Sequence, residues 1–158
     1  MPDKHAVLSA SSAHRWIQCP PSVLLNAAAA DKSSEYAMQG TDAHSLCEYK
    51  VLRSLGKKAK DPTENLTYFD EEMSDCTDSY QQFVSEQVAK ARERCQDPIV
   101  LVEQRLDFSK WVPQGFGTGD CVIVSDDVLT VIDFIATQTI KQTNKKQTIL
   151  HNRKRKFF

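Results

Sequence analysis

Hydrophobic and polar positions change rhythm along the chain. Residues 1–8 carry no periodicity and read as a lead-in. Ser9 can cap a short helix through about Cys19, which Pro20-Pro21 ends, and residues 22–30 form a second short helical piece. Residues 31–39 are polar and read as a loop. A helix is then predicted from Gly40-Thr41-Asp42-Ala43-His44 to a stop at Gly56. His44, Cys47, Glu48, Val51 and Leu55 recur along one stripe of it at helical spacing. Residues 56–70, charged and containing Pro62, read as a connection. The clearest amphipathic helix is residues 71–95, with Tyr80, Phe83, Val84, Val88, Ala91 and Cys95 on one face.

After Asp97-Pro98 the period shortens to that of a strand. Residues 99–107 read as one, followed by a loop with Trp111, Pro113, Gly115, Gly117 and Gly119. Residues 120–125 and 128–134 read as two more, joined at Asp126-Asp127. Helices first, then a three-stranded antiparallel meander, is an α+β pattern. From Ile135 the character changes. Residues 135–150 are rich in Thr, Gln, Lys and Asn with weak apolar periodicity, so a body of 1–134 and a tail of 135–158 are expected.

The hairpin carries the candidate chemistry. A turn centred on Asp126-Asp127 pairs Val124 with Leu129, Val122 with Val131 and Asp120 with Asp133. Directly opposed side chains have Cβ atoms about 4.5–5.5 Å apart. Two carboxylates at that distance repel unless one is protonated or a cation lies between them. Mg²⁺ or Mn²⁺, which take oxygen ligands, suit such a pair. The alternative is that both acids point to solvent at a sheet end. The valines on their face argue that the face is covered. His44 is a candidate third ligand or a hydrogen-bonded core histidine. Glu48, one turn on, is a further polar group of the site or a helix-surface charge.

Composition narrows the classes. A chain of 158 residues is one domain's worth, and 41% hydrophobic with 26% charged residues excludes collagen-like, mucin-like and wholly disordered chains. No stretch approaches the ~18–20 apolar residues of a membrane helix. Met1-Pro2-Asp3-Lys4-His5 lacks a secretory hydrophobic region, which points to the cytoplasm. The net charge of −1 conceals an asymmetry. Residues 141–158 hold seven bases and no acid, so a body of −8 carries a tail of +7. Such a tail fits a polyanion or an acidic partner, or is a disordered end. The five cysteines (Cys19, Cys47, Cys76, Cys95 and Cys121) are odd in number and lack Cys-x-x-Cys spacing, against a disulfide framework or zinc ribbon. Small buried residues are the expected role for most of them.

Several pieces together resemble the RecB-like branch of the PD-(D/E)XK nuclease superfamily, and more closely an uncharacterised family of phage and prophage proteins within it. They are Leu8-Ser9-Ala10-Ser11-Ser12 with Trp16 and Cys19-Pro20; Gly40-Thr41-Asp42-Ala43-His44; Val102-Glu103-Gln104-Arg105-Leu106-Asp107; Gly117-Thr118-Gly119-Asp120; and Val131-Ile132-Asp133-Phe134. The resemblance spans roughly residues 8–134 and implies a partial restriction-endonuclease-like core. It implies that His44 binds metal, that Asp120 and Asp133 are the two acids, and that Glu103 falls on a further acidic position of the preceding strand. The implied reaction is hydrolysis of DNA with Mg²⁺ or Mn²⁺. Iron–sulfur members of the branch use clustered C-terminal cysteines. None follows Cys121 here, so no iron–sulfur cluster is expected and Cys19 is read as structural.

The chain departs from that pattern where the lysine should stand, two residues after Asp133. That position is Ile135, and the chain then runs into the basic tail, as if a reading frame had shifted or an end had recombined. The expected protein is therefore a shortened relative that binds metal and DNA with impaired or absent hydrolysis. Two alternatives stand beside it. In one, Lys141 replaces the missing lysine and the nuclease is active. In the other, the protein is a non-catalytic, anti-CRISPR-like inhibitor of a host defence nuclease. Loss of the family's last helix and strand would also leave a sheet edge and an apolar face uncovered, so self-association or a protein partner is expected unless residues 136–150 form a replacement element.

Overall fold

The computed structural model describes residues 7–9, 12–28, 34–135 and 151–156, the last as backbone. The chain divides into two compact units. One is Met1–Ser33 with Arg105–Gly119, and the other is Ser34–Gln104 with Asp120–Phe158.

In the first unit two short helices, α1 (Ala13–Gln18) and α2 (Ser22–Ala28), are separated by Pro20-Pro21. Ser12, not Ser9, occupies the N-cap position of α1. Ser9 acts from further back. Its carbonyl accepts the Trp16 indole N–H over 3.0 Å, and its hydroxyl lies 2.8 Å from that of Ser12. Cys19, at the end of α1, is exposed rather than packed. In the Arg105–Gly119 segment the Phe108 N–H donates to the Gly115 carbonyl over 3.1 Å. A Cβ at Gly115 would lie 2.6 Å from the Phe108 ring, so only glycine fits.

The second unit holds α3 (Glu35–Ser54), a 3-10 turn at Thr63–Asn65, and α4 (Glu71–Arg92). The sheet strands are β1 (Ile99–Asp107), β2 (Phe116–Ser125), β3 (Val128–Asp133) and β4 (His151–Lys156), in the order β1-β2-β3-β4. The fold is α+β: N-terminal helices followed by antiparallel strands.

Helix α3 begins five residues before the predicted start. The Ser34 hydroxyl accepts the Ala37 N–H over 3.2 Å and Glu35 sits in the first turn, so the polar stretch is a capped helix start and Gly40 lies inside the helix. The stop at Gly56 is as expected. Gly56 adopts φ +74, with Gly56 N–H bonded to the Arg53 carbonyl and Lys57 N–H to that of Leu52. Helix α4 starts at an Asp70 cap that accepts the Met73 N–H over 2.6 Å. Two polar ties fix the helices. The Lys50 ammonium reaches Asp78 at 2.6 Å and the Ser74 carbonyl at 2.9 Å, and the Asp42 carboxylate accepts the Thr67 and Tyr68 N–H groups at 2.8 and 2.9 Å.

The β2-β3 register runs from Ser125↔Val128 through Val124↔Leu129 and Val122↔Val131 to Cys121↔Ile132, as the turn at Asp126-Asp127 predicts. Asp126 supplies the tight turn with φ 48, a left-handed conformation that aspartate tolerates. The covered face is not the one expected. Ala43, Leu46, Cys47 and Val51 of α3 and Met73, Tyr80, Val84, Val88 and Ala91 of α4 form one core with Cys121, Ile123, Ile132 and Phe134. These sheet residues alternate with Val122, Val124 and Val131. Val122 is buried, but Val131 is 36% exposed.

The uncovered β3 edge is also corrected. Strand β4 pairs antiparallel along it, from Val128↔Lys156 to Asp133↔His151. The expected meander β1-β2-β3 is present and β4 extends it to a sheet of four, with the basic run Arg153-Lys154-Arg155-Lys156 in an outer strand among the described residues. Among those residues, no helix is long and apolar enough to cross a membrane.

Candidate metal centre

Three elements deliver one side chain each to the same end of the core. Helix α3 presents His44 one residue beyond the buried Ala43. Strand β1 presents Glu103, whose backbone takes φ 47 in the left-handed region. That conformation is uncommon for a residue with a Cβ. It interrupts the regular pleat of β1 where the acid leaves the strand. Strand β2 presents Asp120, next to Cys121, whose partner across the hairpin is Ile132 of β3.

His44 Nδ1 lies 3.5 Å from Asp120 Oδ2 and 3.7 Å from Glu103 Oε1. One ligand atom from each of the three residues lies within 4.8 Å of the other two. Side-chain exposure falls from 36% at His44 through 26% at Glu103 to 9% at Asp120, so the group is open on one side and closed on the other. Asp120 is anchored at its closed end. Its Oδ2 accepts the backbone N–H of Phe134 over 2.7 Å.

The electrostatics follow from two acids crowded beside an imidazole. Glu103 is the largest influence holding the His44 pKa above its ordinary value, although 3.7 Å is long for a formed hydrogen bond. Burial opposes it, and the charges of Asp120, Glu103 and Asp133 add to the rise. Burial pushes the Asp120 carboxyl up to about 6, despite the Phe134 N–H and His44, which favour its charged form. Burial, then the charge of Glu103, raises the Glu48 carboxyl one turn along α3. Burial raises the thiols of Cys47 and Cys121 as well, the latter to about 12, which leaves both neutral and inert.

Of the residues that the sequence singles out, His44, Glu103 and Asp120 are brought together. Asp133 is exposed and lies outside this three-atom group. Its place beside the site is recorded by its charge on His44 and Asp120. Among the described residues the three-atom group joins Asp120 with Glu103 and His44 and does not include Asp133. Ile135, in the lysine's expected place, is 41% exposed. Lys141 lies outside the described residues. Sequence reasoning missed the Phe134 amide, because every residue but proline has one and only the end of a ladder frees it.

One imidazole nitrogen and two carboxylate oxygens make a donor set for a divalent cation of intermediate to hard character. A cation with bonds of about 2.1 Å holds adjacent ligands roughly 3 Å apart, so His44 needs to approach either acid by well under an ångström. Among the described residues, Glu103 and Asp120 each form an ion pair with His44.

The model of a family described as Protein of unknown function (DUF2800) matches residues 5–150. The matched span crosses residue 135, where the sequence changes character, and stops one residue before β4. No solved structure matches the chain.

Proposed function

The chain belongs to the DUF2800 family, and we propose that it is a nuclease-like protein that binds a divalent metal and DNA, with phosphodiester hydrolysis impaired or absent. The observation that carries this reading is the convergence of His44, Glu103 and Asp120 from three elements, with ligand atoms within 4.8 Å. It agrees in residue type with the resemblance to PD-(D/E)XK nucleases, with Glu103 nearer the centre than Asp133.

Glu103, Asp120 and His44 would hold the cation, which would supply polarisation of a phosphoryl oxygen and activation of water. The protein's own residues do the rest. Asp120, tied to Phe134 N–H, fixes the closed side of the site. Glu103 and His44 line the open side, where a phosphate enters. Ile135 has neither charge nor proton, so no ammonium steadies the charge that develops on the phosphate. Loss of one such stabilising group costs about 10²–10³ in rate. The basic run of β4 supports the DNA half of the reading, since lysine and arginine neutralise phosphates.

Mn²⁺ titration by calorimetry, with gel shift and cleavage assays on linear and nicked DNA, tests the proposal. The expected result is Mn²⁺ binding lost in Asp120→Asn and Glu103→Gln, DNA binding, and weak or no cleavage. Failure of Mn²⁺ and Mg²⁺ to bind overturns it. Rapid cleavage that vanishes in Asp120→Asn restores the active-nuclease alternative and points to Lys141.

A further inference from the structure

Phe134 touches the centre twice through different parts of itself. Its backbone N–H donates to Asp120 Oδ2 over 2.7 Å. Its ring meets the His44 imidazole edge-to-face, with centroids 5.6 Å apart and planes at 88°. The same ring also meets Tyr80 edge-to-face, with centroids 5.3 Å apart. Phe134 is 5% exposed and Tyr80 2%, so the phenylalanine cannot shift without moving α4.

We propose that Phe134 is a positioning residue that sets two metal ligands from two different elements at once. The inference rests on the reading of His44 and Asp120 as ligands. The β2-β3 register runs to Cys121↔Ile132, and beyond it the amide of Phe134 donates to the Asp120 side chain. This bond pins the carboxylate against the strand end. The imidazole, exposed by about a third on the open side, is held less tightly, with Nδ1 3.5 Å from Asp120 and 3.7 Å from Glu103. The ring of Phe134 supplies a wall that leaves it one packed orientation, with Nδ1 toward the acids. Edge-to-face pairs of this kind contribute orientation beyond the area they bury.

The inference gives the side chain and the amide separable roles. Phe134→Leu removes the ring but keeps an apolar residue and the N–H bond to Asp120. It is expected to weaken Mn²⁺ binding roughly 10–100-fold, as loss of the groups that orient metal-bound histidines does. In metal-free protein the three-bond couplings of His44 should pass from one χ1 rotamer in the wild type to averaged values in the variant. A residue that merely fills the core would lower the melting temperature without moving those couplings. Phe134→Ala, which also opens a cavity, is expected to lose stability as well as affinity.

Calorimetry with Mn²⁺ and histidine-labelled NMR on the full chain, wild type against Phe134→Leu, settle the matter. Averaged His44 couplings in a folded Phe134→Leu protein support the positioning role, even if the wild type binds no Mn²⁺ and the metal reading itself falls. A single unchanged rotamer in the variant, or Mn²⁺ affinity equal to the wild type's where the wild type binds, overturns it.

Discussion

The amide of Phe134 and the carboxylate of Asp120 are bonded over 2.7 Å, which makes Asp120 both the end-stop of the β2-β3 ladder and a member of the candidate metal centre. Replacing it by alanine removes two things, whereas asparagine keeps an oxygen for the amide. Asp120→Ala is therefore expected to destabilise the metal-free protein by about 1–3 kcal/mol, the cost of a buried unpaired N–H. Asp120→Asn should unfold at or above the wild-type temperature near neutral pH, since burial disfavours the charged carboxylate. Both should lose Mn²⁺ binding. Thermal melts of the three proteins without metal check the separation.

Protons and metal compete for the same atoms. The Asp120 carboxyl is raised to about 6 and His44 keeps its proton above the ordinary value. Mn²⁺ affinity should climb at least tenfold between about pH 5 and pH 7.5 and then level off. Without metal the sign reverses. The fold favours protonated Asp120, so stability falls as pH rises from the ordinary carboxyl value through about 6. The contribution of protonated His44 is present in acid and fades as pH passes its raised pKa. Paired melts with and without Mn²⁺ across this range read both effects.

Tyr80 is 2% exposed, and its hydroxyl has no hydrogen-bond partner among the described residues. Burial holds its phenol neutral, far above the ordinary tyrosine range. Tyr80→Phe keeps the ring against Phe134 and removes the orphaned hydroxyl. It is expected to raise stability by about 1 kcal/mol and leave metal affinity unchanged. A clear fall in melting temperature would show that a buried water satisfies the hydroxyl.

The basic run of β4 gives a salt-dependence test. If Arg153, Lys154, Arg155 and Lys156 each meet a phosphate, replacing all four by glutamine lowers the slope of log affinity against log salt by about 3–4 for duplex DNA. An unchanged slope assigns the run to protection of a sheet edge, for which charged residues also serve. Affinity measured at several salt concentrations, with wild type and variant side by side, distinguishes the two.

Much of this fold is written locally. The period of α4, the stop at Gly56 and the two-residue turn at Asp126-Asp127 need only near neighbours, and the β2-β3 register follows from that turn. The start of α3 was hidden because Gly40 resembles a boundary, while the cap that sets the start is Ser34. Strand β4 was hidden because a lysine- and arginine-rich segment has no apolar alternation of its own. Its pairing with β3 is a long-range event.

The same distinction divides the candidate site. Asp120 and Asp133 belong to a short hairpin, whose register from Ser125↔Val128 to Cys121↔Ile132 is legible from its turn. Glu103 joins the centre through a left-handed residue in β1, which alternation along a strand cannot anticipate. His44 was visible as a polar residue on a mostly apolar stripe. What it faces depends on how α3 packs over the sheet, and that is set by Cys47 and Val51 among the sheet residues rather than by the motif.

In the proposed centre His44, Glu103 and Asp120 act together on one divalent cation. Calorimetric titration of Mn²⁺ into wild type, His44→Ala, Glu103→Gln and Asp120→Asn tests it most directly. The account predicts one site per chain in the wild type, and loss of at least tenfold in affinity in every variant. No binding in the wild type, or a Glu103→Gln protein that binds as the wild type does, would contradict it.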